Sequence, residues 1–104
     1  MPAVIGFTTA PSLKLAKSLA RSLVAKRLAA CVSIKTGYAS FYRWKGKVRI
    51  ARETLLMIKT TKRRFHRVKE FVQKNHSYEI PEMIGVSISQ GSREYLSWLN
   101  ESVR

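Results

Sequence analysis

The sequence predicts an α+β domain of the ferredoxin-like type, a βαββαβ unit with a long central hairpin and a short C-terminal helix. Three observations predict it. An apolar stripe recurs at helical spacing over Leu13–Leu28. The period switches to two from Ala30 to Thr60, interrupted at Lys45-Gly46. A second helix-then-strand pair follows Thr61. A length of 104 residues suits one domain spanning 1–104, and no repeat or linker divides it.

The first run, Ala3 to Thr9, is short and apolar and reads as a buried strand. Pro11 stops it, and Ser12 is an N-cap for the helix that follows. Leu13, Ala16, Leu19, Ala20, Leu23, Val24 and Leu28 form one face of that helix, with Lys14, Lys17, Arg21 and Lys26 largely off it. In the next run Tyr38, Ser40, Tyr42 and Trp44 share one strand face, and Gly37 marks a bulge or bend. Lys45-Gly46 is a hairpin turn, after which Lys47 to Thr60 returns and ends in Leu55, Leu56, Met57 and Ile58. Both arms exceed the usual strand length of about 5–6 residues, so the hairpin must project beyond its own core and needs something to cover its aromatic tip. Thr61 caps a second helix with Phe65, Val68, Phe71 and Val72 on its apolar side. A loop over 76–82, broken by Pro81, leads into a last strand at 83–89 with Ile84, Val86 and Ile88 on one face. Gly91-Ser92 turns into a helix bearing Tyr95, Leu96, Trp98 and Leu99.

Charge is the unusual property. Twenty Lys and Arg stand against six Glu and no Asp, for a net charge of +14. The cations are spread along the chain, which describes a cationic surface rather than a nucleic-acid-binding arm. One cysteine, Cys31, rules out an internal disulfide framework and points to the cytoplasm. No apolar run approaches the roughly 20 residues of a membrane span, and the N-terminus does not read as a signal peptide. With no phosphate loop, no zinc-protease motif and no Ser-His-Asp set, no residue is assigned to catalysis and no enzyme is expected.

Five segments, in order, resemble the CutA divalent-ion tolerance family. They are Lys26-Arg27-Leu28-Ala29-Ala30-Cys31-Val32, Ser40-Phe41-Tyr42-Arg43-Trp44-Lys45-Gly46-Lys47, Ile58-Lys59-Thr60, His76-Ser77-Tyr78-Glu79-Ile80-Pro81-Glu82 and Tyr95-Leu96-Ser97-Trp98-Leu99. The resemblance implies a homotrimer, similar in assembly to the PII signalling proteins, that packs the hairpins around a threefold axis and binds copper or other divalent cations. It implies no organic cofactor, membrane partner or specific nucleic acid. It also places Tyr42, Trp44, Lys59, Tyr78 and Trp98 near a cleft between subunits. The chain departs from the family pattern at Ser77, at the basic positions Lys45, Arg49 and Arg52, and at Thr8 and Asn75, where some members carry candidate ligands.

For metal, His76 and Glu82 are the first candidates, because imidazole and carboxylate suit a first-row divalent ion. A closed site wants about four ligands, so a neighbouring subunit or water must complete it. Cys31 is a candidate Cu(I) thiolate, although its place between Ala30 and Val32, at a helix-to-strand junction, more often means a small buried core residue. Lys62, Arg63 and Arg64 open a helix against its dipole and form a candidate anion site. A non-catalytic trimeric scaffold and a polyanion- or nucleic-acid-binding module on the basic surface are the alternatives. The latter lacks the aromatic RNA-binding signature of the same strand order.

Overall fold

The computed structural model describes residues 2–104, and its elements follow the expected order. They are β1 (Ala3–Ala10), α1 (Leu13–Ala25), β2 (Cys31–Trp44), β3 (Lys47–Thr61), α2 (Lys62–Asn75), β4 (Ile84–Ile88) and α3 (Arg93–Ser102). The sheet runs β2-β3-β1-β4, and every neighbouring pair is antiparallel. No helix among the described residues is long and apolar enough to cross a membrane.

The Ser12 hydroxyl caps α1 by accepting from the Leu15 amide at 3.1 Å. The helix ends at Ala25, three residues before the apolar period does. Leu28 N–H donates back to the Leu23 carbonyl and Arg27 N–H to the Val24 carbonyl, which is the Schellman closure. Arg27 occupies its left-handed position at φ 58°, where glycine is usual. Leu28 then turns into the core, so its apolar side chain extends the helical period past the helix itself.

The hairpin closes through Lys45 (φ 51°) and Gly46 (φ 78°), both left-handed, between the paired residues Trp44 and Lys47. That is the type I′ turn whose twist matches the strands. The bulge also forms where Gly37 announced it, at φ 71°, with the register shifting between Lys35 and Tyr38. The molecule is 45 Å long and 25 × 23 Å across, because the hairpin projects.

Thr61 caps α2, accepting from the Arg64 amide at 3.3 Å. Phe65 of α2 lies over Gly6 and Gly85, which face each other across β1 and β4. A Cβ on Gly85 would stand 2.8 Å from the Phe65 ring, so a side chain there would have to displace it. The last strand is shorter than the expected 83–89, and Met83 packs over Gly6 beside Phe65, on the helix-covered side, instead of joining the ladder.

α1 and α2 cover one face of the sheet, and Leu19, Leu23, Leu56, Ile58, Val68 and Val72 fill the space between. The other face is treated differently. α3 covers one end of it, seating Leu99 and Val103 against Ala3 and Ala30, with Ile88 alongside. Further along the same face, Ile84 and Val86 remain 54% and 51% exposed. On the hairpin Phe41 and Ile50 are 68% and 64% exposed.

Candidate functional site

The far end of this open face carries the polar chemistry. The bulge sets Tyr38 opposite Glu53, and strand alternation then keeps Ser40, Tyr42 and Trp44 on the Glu53 side. The 76–82 loop folds over the same side. Together they enclose an open pocket of about 680 Å³ whose wall includes Tyr38, Tyr42, Trp44, Glu53, Tyr78 and Glu82.

Glu53 is the centre of this arrangement. It is only 9% exposed, and one oxygen, Oε2, accepts from Tyr78 Oη at 2.6 Å and Thr9 Oγ1 at 3.1 Å. Burial first, then the hydrogen bond to Glu53 and its charge, push the Tyr78 phenol well above its ordinary range, so it remains a neutral donor. Glu82 is also pushed up, first by burial and then by the charge of Glu53. Two carboxylates therefore share one pocket, and neither makes an ion pair among the described residues.

His76 holds the loop in place. Its Nδ1 accepts from the Tyr78 amide at 3.0 Å, which makes Nε2 the donor to the Thr9 carbonyl at 2.6 Å. Its ring lies 4.7 Å from that of Tyr78. Both ring nitrogens are thus engaged with backbone in this conformation, so the imidazole positions the loop and offers no lone pair to a metal.

The remaining sequence candidates separate. Cys31 is half-buried on the open face, not in the core, beside Lys59 Nζ at 3.9 Å. Lys59 also reaches Ser33 Oγ at 3.2 Å. Cys31 pairs with Lys59, which lies six positions along β3 from Glu53, a separation of roughly 20 Å. Of the five cleft residues, Tyr42, Trp44 and Tyr78 converge on the pocket within one subunit. Lys59 does not line it, and Trp98 packs on α3 against Tyr95 at 5.5 Å. Of the three cations at the α2 start, Arg64 is already committed, donating from Nε to the Val103 carbonyl at 2.7 Å. Lys62 and Arg63 are exposed. Thr8 is fully buried on the helix-covered side, facing away from the pocket.

Glu53 is the site residue that periodicity does not single out. One signal was present: it is the first acidic residue in the chain, and it sits one position after Arg52 in an otherwise basic arm. No three His, Cys, Asp or Glu side chains converge among the described residues. The donors at hand are carboxylate and phenol oxygens, which suit an oxygen-preferring divalent ion in part and do not make a thiolate–imidazole copper site within one subunit.

Comparison with known proteins places this geometry in context. The family model described as CutA1 divalent ion tolerance protein matches residues 4–102. A Thermus thermophilus divalent-cation tolerance protein CutA is 47% identical over 94 residues, covering 90% of this chain and 91% of that protein. The chloroplastic CutA of Arabidopsis thaliana is 42% identical over all 104 residues, which span 57% of its length. Among solved structures, CutA1 from Oryza sativa superposes with a TM-score of 0.97 at 40% identity, covering 100% of this chain and 95% of that one. Cut A1 from T. thermophilus does so at 0.95 and 43% identity, covering 98% and 99%.

Proposed function

This chain belongs to the CutA1 divalent ion tolerance family, and from that premise we propose that it is a non-catalytic, cytoplasmic homotrimer that binds divalent metal ions in the response to them. The observation that carries the metal reading is that Glu53 and Glu82 line one open pocket with no Lys, Arg or His among its described lining residues. A divalent ion would offset both the burial and the charge of Glu53 that push Glu82 up. Further ligands would come from water or from a neighbouring subunit, because two carboxylates fall short of a full shell. When bound, the ion supplies positive charge at this end of the sheet. Glu53 holds its ligand geometry through Tyr78 and Thr9.

The trimer is supported by what the open face leaves uncovered. Ile84 and Val86 lie beside Ile5 and Phe7 in the sheet, a contiguous apolar surface that an isolated subunit would leave wet. β2 and β4 are the sheet edges, each with backbone groups able to pair with another copy.

Two measurements test this. Light scattering should give about three times the 11.9 kDa subunit mass, and a value near one subunit rejects the assembly. Calorimetric titration with Cu²⁺, Zn²⁺ and Mn²⁺ should show affinity falling about tenfold or more in Glu82→Gln and Glu53→Gln. Affinities unchanged in both variants reject the carboxylate pair as the ion site.

A further inference from the structure

We propose that the Glu53–Glu82 pocket also takes an organic cation, a small primary or quaternary ammonium, held between the two carboxylates and the aromatic faces of Tyr42 and Trp44. A metal ion accounts for the acids but leaves the walls unexplained. Tyr38, Tyr42, Trp44 and Tyr78 all contribute to them, and an aromatic face offers nothing to a hydrated divalent ion that a carboxylate does not. An ammonium uses both, since its charge is attracted to the ring quadrupole and its carbon atoms are desolvated against it.

Charge segregation supports the same ligand. The chain carries 20 Lys and Arg, yet none of them, and no His, lines this pocket among the described residues. Arg43, Lys45, Lys47, Arg49 and Arg52 all belong to the hairpin that forms one wall, and the pocket surface is free of every one. Glu53 gives a second mark. Its two hydrogen bonds fall on Oε2, so Oε1, which is not sealed from solvent, has no donor among the described residues and is open to a ligand in the pocket. A largely buried carboxylate that makes no ion pair among the described residues of a strongly cationic protein is a place for a cation from outside. The volume, about 680 Å³, suits a small organic molecule rather than a bare ion.

This inference rests on the pocket being a cation site, and the probes separate it from the metal reading. Choline and n-butylamine are titrated calorimetrically into the wild-type protein, with 3,3-dimethylbutanol as the uncharged analogue of choline. Both amines should bind and the alcohol should not. Glu82→Gln should weaken amine binding about tenfold. Trp44→Leu, at an exposed tip position where folding is not at risk, should weaken it about fivefold while leaving Zn²⁺ affinity unchanged. No amine binding by the wild-type protein on the order of 10 mM, or equal amine affinity in Trp44→Leu, overturns the proposal. Amine binding without Zn²⁺ binding would sustain it and remove the metal reading alone.

Discussion

The two faces of the sheet solve the same problem in opposite ways. The helix-covered face is closed by the chain's own residues: Leu56 and Ile58 from β3 meet Leu19 and Leu23 from α1 and Val68 and Val72 from α2, all at or near zero exposure. The other face receives α3 at one end and the 76–82 loop at the other, and Ile84 and Val86 on it stay open to water. Both faces follow the same strand alternation, so the hydrophobic pattern does not distinguish them. What distinguishes them is the supply of covering elements. Two long helices are available for one side and one short helix for the other. Burial within the subunit is thus concentrated on one face, and the other is left largely open.

The largest effect should come from the closed face. Leu56→Ala should lower unfolding stability by about 2–5 kcal/mol, since the cavity it leaves is walled by ordered neighbours. Val86→Ser on the open face should instead leave the subunit's circular dichroism unchanged and make its melting temperature strongly dependent on protein concentration. Similar losses for both, at every concentration, would erase the distinction between the faces.

Next in size is Gly85→Ala, which should cost about 1–3 kcal/mol in denaturant titration because its Cβ would meet the Phe65 ring at 2.8 Å. Arg27→Gly runs the other way and should stabilise by about 1 kcal/mol, since the residue stands at φ 58° in an exposed helix end.

The smallest effect belongs to the pocket and depends on pH. Glu82 is pushed up in the folded protein, so the folded state holds its proton more tightly than the unfolded chain does. Its contribution is therefore favourable below the ordinary carboxylate range and is lost as pH rises through that range toward the folded value. Glu82→Gln should melt at the same temperature as wild type near pH 4 and slightly higher near pH 7. A higher melting temperature for the variant at both values would indicate packing rather than titration.

Much of the frame was legible because its signals are local. Ser12 and Thr61 carry their own capping oxygens, Lys45-Gly46 its own turn, and Gly37 its own left-handed backbone. The end of α1 was not legible, because an arginine occupies the position where glycine would have announced the stop. The site divides likewise. Tyr42, Trp44, Tyr78 and Glu82 were singled out from their segments and line one pocket, whereas Glu53 joins them only through pairing with Tyr38 across the bulge. His76 was chosen for its ligand chemistry, and nothing in its neighbours reveals that both nitrogens meet backbone groups. Lys59 and Cys31 reach one another instead of the pocket, because distance along a strand outweighs similarity of chemistry.

The two arms of the hairpin are locked in step at both ends, and the locks disagree by one residue. At the inner end Cys31 faces Lys59 and Lys35 faces Leu55, while at the tip Trp44 faces Lys47 and Tyr38 faces Glu53. Gly37 absorbs the mismatch, with open space around it and a backbone that bulkier residues resist. It serves as an elbow, so the aim of the forearm is decided there and not at its fingertips. A β-branched residue at this joint would leave the core closed and the turn intact, yet point the arm elsewhere.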